Sequence, residues 1–286
     1  PVIRRESAIL LRDICRNTFN HEFALLMPTF DTSVEIRSVM EYMHACYADP
    51  IATGMWHQMS GLIGIIIKSH QSDLIELQLA TKATVKRMAW MDCCPSQLGL
   101  PMMSGVFGIA EDRMASIHVR KLAIEFLRSF YARNYMQLED TKPYLNGILR
   151  LVADEMLEVR EAASHSLTSY FHSLPAIADQ YAPALLNHLE CTPSQLLAVR
   201  HSSLLQAKAL VLSAPYRLAS WTPPLLYRLA RLFAAERSTA AQATLRQIFS
   251  EFKRTHQDNW VMERMAFSPE QLDAVSELLI SPSYYA

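Results

Sequence analysis

Three valine-arginine pairs, Val119-Arg120, Val159-Arg160 and Val199-Arg200, recur at a spacing of forty residues, each at the opening of a run with helical apolar spacing. A small residue follows three positions after each arginine (Ala123, Ala163, Ser203), where two helices need close approach. A fixed period of this length points to a row of helical units, each burying its apolar face against its neighbours instead of in one closed core. Only seven of the 286 residues are glycine and apolar positions recur mostly at helical spacing, so the pattern argues against a sheet protein.

The spacing sits at the short end of the roughly 40 to 47 residues of HEAT and armadillo units, so the expected fold is an all-α solenoid of HEAT/armadillo-like hairpins. The unit around Arg160 is the clearest. Leu145, Ile148, Leu149 and Val152 share a first helix, Asp154-Glu155 marks a turn, and a second helix runs from Val159 to Phe171. Two roles are open to the three arginines. They could form an anion-binding ladder, or they could bond neighbouring acidic residues and turn carbonyls and so lock successive hairpins. We favour the second, with Asp154 as the candidate partner of Arg160.

Further helices are expected at 31–48, 51–69, 73–91, 111–134, 176–190, 194–213, 222–235 and 239–256, punctuated by prolines that helix interiors exclude. The stretch Asp92 to Gly108, with two prolines and three glycines, reads as a long surface loop or a change of curvature. The expected organisation is helical repeats over 1–267, a capping helix over 268–280 and an extended tail over 281–286. The opening Pro1-Val2-Ile3-Arg4-Arg5, without a methionine or signal-peptide pattern, suggests a fragment of something longer.

Little in the sequence supports catalysis. Ten histidines are scattered without HExxH, paired CxxC is absent, and no GxSxG elbow or phosphate-cradling glycine loop occurs. His165 and His172 could share a helix face but lack a third ligand nearby, and Cys93-Cys94-Pro95 lacks an identified base. No enzyme, metal or cofactor is expected. Five cysteines without ligand spacing read as reduced, intracellular thiols. The most apolar stretch, Met55 to Ile67, is too short to span a bilayer, and a net charge of −1 gives no global argument for nucleic acid. Lys253-Arg254-Thr255-His256 places cations at the negative end of a helix, while Met262, Met265 and Phe267 read as a linker packed on the preceding hairpin.

The C-terminus is the strongest functional signal. Ser268-Pro269-Glu270-Gln271 supplies an N-cap, a proline at the first helical position and the glutamine of a capping box. Leu272, Val275, Leu278 and Leu279 give the helix an apolar face to seal the repeat stack. Pro282 then stops the helix and biases Ser281 toward extended backbone, projecting Tyr284-Tyr285-Ala286 away from the body. Two aromatic rings and a free carboxylate make a plug for a partner's pocket.

Several stretches resemble the C-terminal end of the large HEAT-repeat proteasome activators of animals, fungi and plants. They are Arg200-His201, Leu212-Ser213-Ala214-Pro215-Tyr216, Trp221-Thr222-Pro223, the run Phe252 to Trp260 and the tail from Ser281 to Ala286, with Glu158-Val159-Arg160-Glu161 agreeing upstream. In that family the chain ends in a hydrophobic-tyrosine-any-residue signature, which Tyr284, Tyr285 and Ala286 match one for one. The resemblance implies docking between α-subunits of the 20S proteasome core particle. The Ala286 carboxylate would meet a pocket lysine, Tyr285 the turn that holds the gate, and Tyr284 the apolar entrance. It further implies ATP-independent gate opening and a location in nucleus and cytoplasm, with no direct nucleic-acid or membrane partner. Animal members are also linked to acetylated histones, but the family's Asn-Phe pair falls on Leu174-Pro175, which argues against acetyl-lysine binding. Their basic insertion near Glu190 to Leu197 is absent as well. The alternative reading is a generic HEAT scaffold, of the transport-receptor kind, whose tail is incidental.

Overall fold

The computed structural model describes residues 56–91, 94–189 and 197–279, and among them every regular element is helical. Two short-looped hairpins come first: α1 (Trp56–Lys68) with α2 (Ile75–Ala89), and α3 (Ser96–Glu111) with α4 (Ile117–Asn134). Next, α5 (Lys142–Val152) leads through a turn into α6 (Leu157–Ser173). Then α7 (Pro175–His188) pairs with α8 (Leu197–Ser213) and α9 (Thr222–Ala235) with α10 (Thr239–His256), before α11 (Pro269–Leu279). The chain divides into two compact units between Gly147 and Ile148, within α5.

In the first unit α1 packs on α3 and α2 on α4; in the second, α6, α8 and α10 stack in turn while α9 packs on α11. First helices therefore layer on first helices and second on second, as in HEAT/armadillo-like repeats. The valine-arginine pairs fall at equivalent places, in the first turns of α4, α6 and α8. Val119, Val159, Ala123 and Ala163 are fully buried, and full burial of a valine-sized side chain contributes about 1.5–3 kcal/mol. The third repeat departs from this, since Ser203 is half-buried and Val199 exposed.

The arginines lock turns. Arg120 Nε donates to the Ala110 carbonyl at 2.7 Å, and Arg160 Nη1 donates to the carbonyls of Asp154 and Glu155 at 2.7 and 2.8 Å. Asp154 thus meets Arg160 through its backbone carbonyl, while its carboxylate accepts from the Met156 N–H. Arg200 reaches forward instead, pairing with the Glu236 carboxylate at 3.3 Å.

One sequence expectation fails clearly. Most of Asp92 to Gly108 is not a loop but α3, with Pro101 inside it. The missing hydrogen bond at Pro101 is outweighed by burial of Met102, Met103, Val106, Phe107 and Ile109, which recur at helical spacing. Gly99 belongs there for close approach, since a Cβ would stand 2.6 Å from Leu138 Cδ2. The helix expected over 111–134 begins later, at Ile117, because Ser116 caps it by accepting from the Val119 N–H at 3.3 Å. The helix expected over 31–48 lies outside the described residues, and that over 51–69 is described from Trp56.

Candidate functional site at the C-terminal edge

The elements that hold the C-terminus are α9, α10, the connection 257–267 and α11. α10 ends at His256 and the chain turns back through short helical turns, pinned by rings. Trp260 meets Phe252 edge-on at 6.0 Å and Phe267 at 5.4 Å, and Phe267 is buried. His256 is also buried, edge-on to Phe252 at 4.3 Å, with Nδ1 3.8 Å from Glu263 Oε2. Burial pushes the His256 pKa down and that of Glu263 up. Of the three residues expected to pack on the preceding hairpin, Phe267 is buried, whereas Met262 and Met265 are 70 and 71% exposed.

α11 begins with the capping box read from the sequence. Ser268 Oγ accepts from the Gln271 N–H at 3.3 Å, and Gln271 Oε1 accepts from the Ser268 N–H at 2.9 Å. Tyr227, near the start of α9, donates to the Glu270 carboxylate in the first turn of α11. The rings that tie Phe267 through Trp260 to Phe252 put the start of α11 beside the end of α10, the edge at which α9 begins, and α11 packs along α9 from there. Eleven residues at 1.5 Å rise carry the chain about 16 Å, so Leu279 emerges at the opposite edge, level with the α9–α10 turn. Val275 is fully buried, while Leu272, Leu278 and Leu279 are half-buried, the partial cover of a last helix in a stack. Tyr284, Tyr285 and Ala286, the site residues expected from sequence, lie outside the described residues.

The edge where Leu279 emerges is bound together by polar contacts. Glu236, in the α9–α10 turn, accepts from the Arg237 and Ser238 N–H groups at 2.9 and 2.8 Å and pairs with Arg200 of α8. Burial alone would raise its pKa, but these bonds outweigh it and hold the carboxyl below its ordinary value. Behind the edge lies a contact chain that sequence reasoning missed. Arg160 Nε donates to His201 Nδ1 at 3.3 Å, so the neutral ring carries its proton on Nε2 and donates to Thr244 Oγ1 at 2.9 Å; Thr244 donates in turn to the Ala240 carbonyl. Burial, with Arg160 and Lys208 adding repulsion, pushes His201 down to about 4. The available signal was the forty-residue period, which places Arg200 one repeat beyond Arg160 and so its neighbour His201 beside that position.

No group of three His, Cys, Asp or Glu side chains among the described residues could hold a metal, and no helix there is long and apolar enough to cross a membrane. His172 Nδ1 donates to the Ser213 carbonyl at 2.9 Å, one repeat along. Cys94 is buried, its thiol pushed up to about 12 by desolvation, which suits packing and not nucleophilic attack. Cys93 lies outside the described residues.

Residues 197–286 match the family model described as Proteasome activator complex subunit 4-like, C-terminal. Curated relatives agree over a longer stretch. Proteasome activator complex subunit 4B of Danio rerio is 25% identical over 276 residues, covering 88% of this chain and 15% of its own length. Proteasome activator complex subunit 4 of Xenopus laevis is 26% identical with the same coverage, and Proteasome activator subunit 4 of Arabidopsis thaliana is 27% identical over 80% of this chain and 13% of its own length. The chain therefore spans about a seventh of the length of the relatives it matches.

Proposed function

We propose, from the premise that this chain belongs through residues 197–286 to the proteasome activator complex subunit 4-like family, that it is the portion of an activator that engages the proteasome. Its tail docks between α-subunits of the 20S core particle: the Ala286 carboxylate meets a lysine, Tyr285 presses on the turn that holds the gate, and Tyr284 fills the apolar entrance. Insertion biases the gate open without ATP hydrolysis, in the nucleus and cytoplasm.

The observation that carries this reading is the family match running through the last residue, Ala286. A capped, docked helix immediately before the tail favours it, because a rigid root limits the entropy lost when the tail enters a pocket. Burying roughly 150–250 Å² of a tyrosine at about 25 cal/mol/Å² gives about 4–6 kcal/mol gross, much of it offset by ordering. A charge-assisted carboxylate bond adds about 1.5–3 kcal/mol. The tail matters, but it binds weakly as a free peptide and relies on the body to raise its effective concentration.

Deleting Tyr284 to Ala286 from the full-length protein, or blocking the carboxylate with a C-terminal tag, is expected to abolish stimulation of peptide cleavage by purified core particles. Undiminished binding and stimulation after the deletion would refute the docking role.

A further inference from the structure

The first turns of α4, α6 and α8 occupy one repeat position, yet they are not equally covered. Val119 and Val159 are 0% exposed, whereas Val199 is 51% exposed, and Leu197 beside it is 43% exposed. Repeat geometry supplies an apolar pair at this place, and in the third repeat it faces outward. Arg200 of the same turn is tied to Glu236 at 3.3 Å, and Glu236 lies in the turn level with Leu279. Leu197 and Val199 therefore share the edge from which the tail departs. Helices pack about 8–10 Å apart, so the pair lies on the order of 20 Å from the tail's root. The seven residues from Ile280 to Ala286 reach at most about 25 Å when extended. A partner that takes Ala286 into a pocket must bring its surface to this edge, since a standard interface of about 800 Å² per side is roughly 30 Å across.

We infer that Leu197 and Val199 form an apolar step that seats on the surface of the partner immediately outside the pocket taking Tyr284 to Ala286. This rests on the docking reading above and names a contact for the body of the activator beside the tail. The neighbouring charges suit the role: Arg200 and Glu236 neutralise each other, so closing the interface strands neither of them. The partner surface this step fits is apolar and uncharged. The contact turns tail insertion into a two-point attachment, with the step raising the effective concentration of the tail.

The test compares full-length protein carrying Leu197→Ser with Val199→Ser against the parent, using purified core particles. The expected result is a dissociation constant raised about tenfold, the loss of one well-packed apolar contact, with peptide cleavage at saturation unchanged. A melting temperature within about 2 °C of the parent accompanies it, because exposed side chains contribute little to stability. Met262→Ser with Met265→Ser, on the opposite edge, should bind as the parent does. Parent-like binding by the Leu197/Val199 variant overturns the inference, as does equal weakening by the far-edge variant. A melting temperature lowered by about 5 °C or more also overturns it, by showing that the chain itself covers the step. Deletion of Tyr284 to Ala286 is measured in parallel. If only the deletion abolishes binding, the step is wrong and the docking reading stands. If only the step variant weakens it, the tail reading is wrong. If neither changes binding, both fall.

Discussion

Successive hairpins are joined mainly by rings in the first unit and mainly by hydrogen bonds in the second, where one ring pair, Phe171 with Tyr181 at 5.2 Å, also bridges α6 and α7. In the first, Phe130 of α4, stacked on Phe126 of the same helix, meets Trp56 of α1 edge-on at 5.9 Å; Tyr131 stacks on Tyr144 of α5 at 4.0 Å, and Phe107 of α3 meets Tyr144 at 5.9 Å. Asn134 adds polar links one repeat back, accepting from the Cys94 N–H and donating to the Met91 carbonyl, both at 2.9 Å. In the second unit the bonds spaced by about one repeat run from Arg160 to His201 and on to Thr244. Others join Ser164 to the Leu205 carbonyl, His172 to the Ser213 carbonyl, and Asp179 to both Arg217 and Trp221. Rings supply area without fixing register, whereas a directional bond between a helix and the same position of the next helix is lost on any slip. Bonds of this kind hold register at Asn134 in the first unit and at several positions along α6, α7 and α8 in the second, the unit that presents the tail.

The largest effect expected from this contrast is that of Phe130→Ala. The ring is fully buried between two helices, and emptying such a site costs about 3–5 kcal/mol. For a domain of this size the loss corresponds to a fall of roughly 10 °C in melting temperature. Hydrogen exchange read peptide by peptide should place the damage in α1 to α4. Equal acceleration in α8 and α10 would break the division drawn here.

Next comes Arg160→Met, which keeps the apolar stem but removes the donor to two turn carbonyls and to His201 Nδ1. Three acceptors lose their partner, at an expected cost of about 2–3 kcal/mol because the turn side retains some access to water. Arg160→Lys should recover only part, since an ammonium lacks the planar fork that spans the carbonyls and the ring. A urea midpoint for Arg160→Lys equal to the parent's would show that charge alone, not the fork, holds the turn.

The forty-residue period exposed the repeat class, the helical runs that open around the three valine-arginine pairs and the turn-locking arginines, because a repeated unit prints the same local rule several times. The capping box at Ser268 and Gln271 was legible for the same reason: it uses only neighbours in sequence. What could not be read was non-local. α3 was hidden because Pro101 and three glycines look like breakers until the helices that cover Met102, Val106 and Phe107 are in place. The outward turn of Val199 is set by its neighbours in space and leaves no trace in its own residue type. Met262 and Met265 were misread in the opposite sense, apolar in sequence and yet bare.

The smallest predicted effect sharpens the contrast through pH. His201 titrates at about 4 when folded against an ordinary 6.5, so between these values the unfolded chain binds a proton that the folded chain refuses. Stability therefore rises with pH across this window and is lost as pH falls from 6.5 toward 4. The loss at the acid end should be on the order of 2 kcal/mol. His256, also lowered by burial, adds in the same direction within the same unit. The first unit answers with His70, which is only half-buried and so responds less. Urea midpoints at pH 7 and pH 4.5, with hydrogen exchange to assign the unit that opens, should show the second unit losing more. His201→Asn offers an oxygen where Nδ1 accepts from Arg160 but has no titration of its own, so it should flatten the profile by the His201 share and leave the His256 share. An unchanged slope in that variant would mean that the proton refused by the folded chain belongs to another group, and that the bond chain from Arg160 to Thr244 is not what sets the acid sensitivity of this unit.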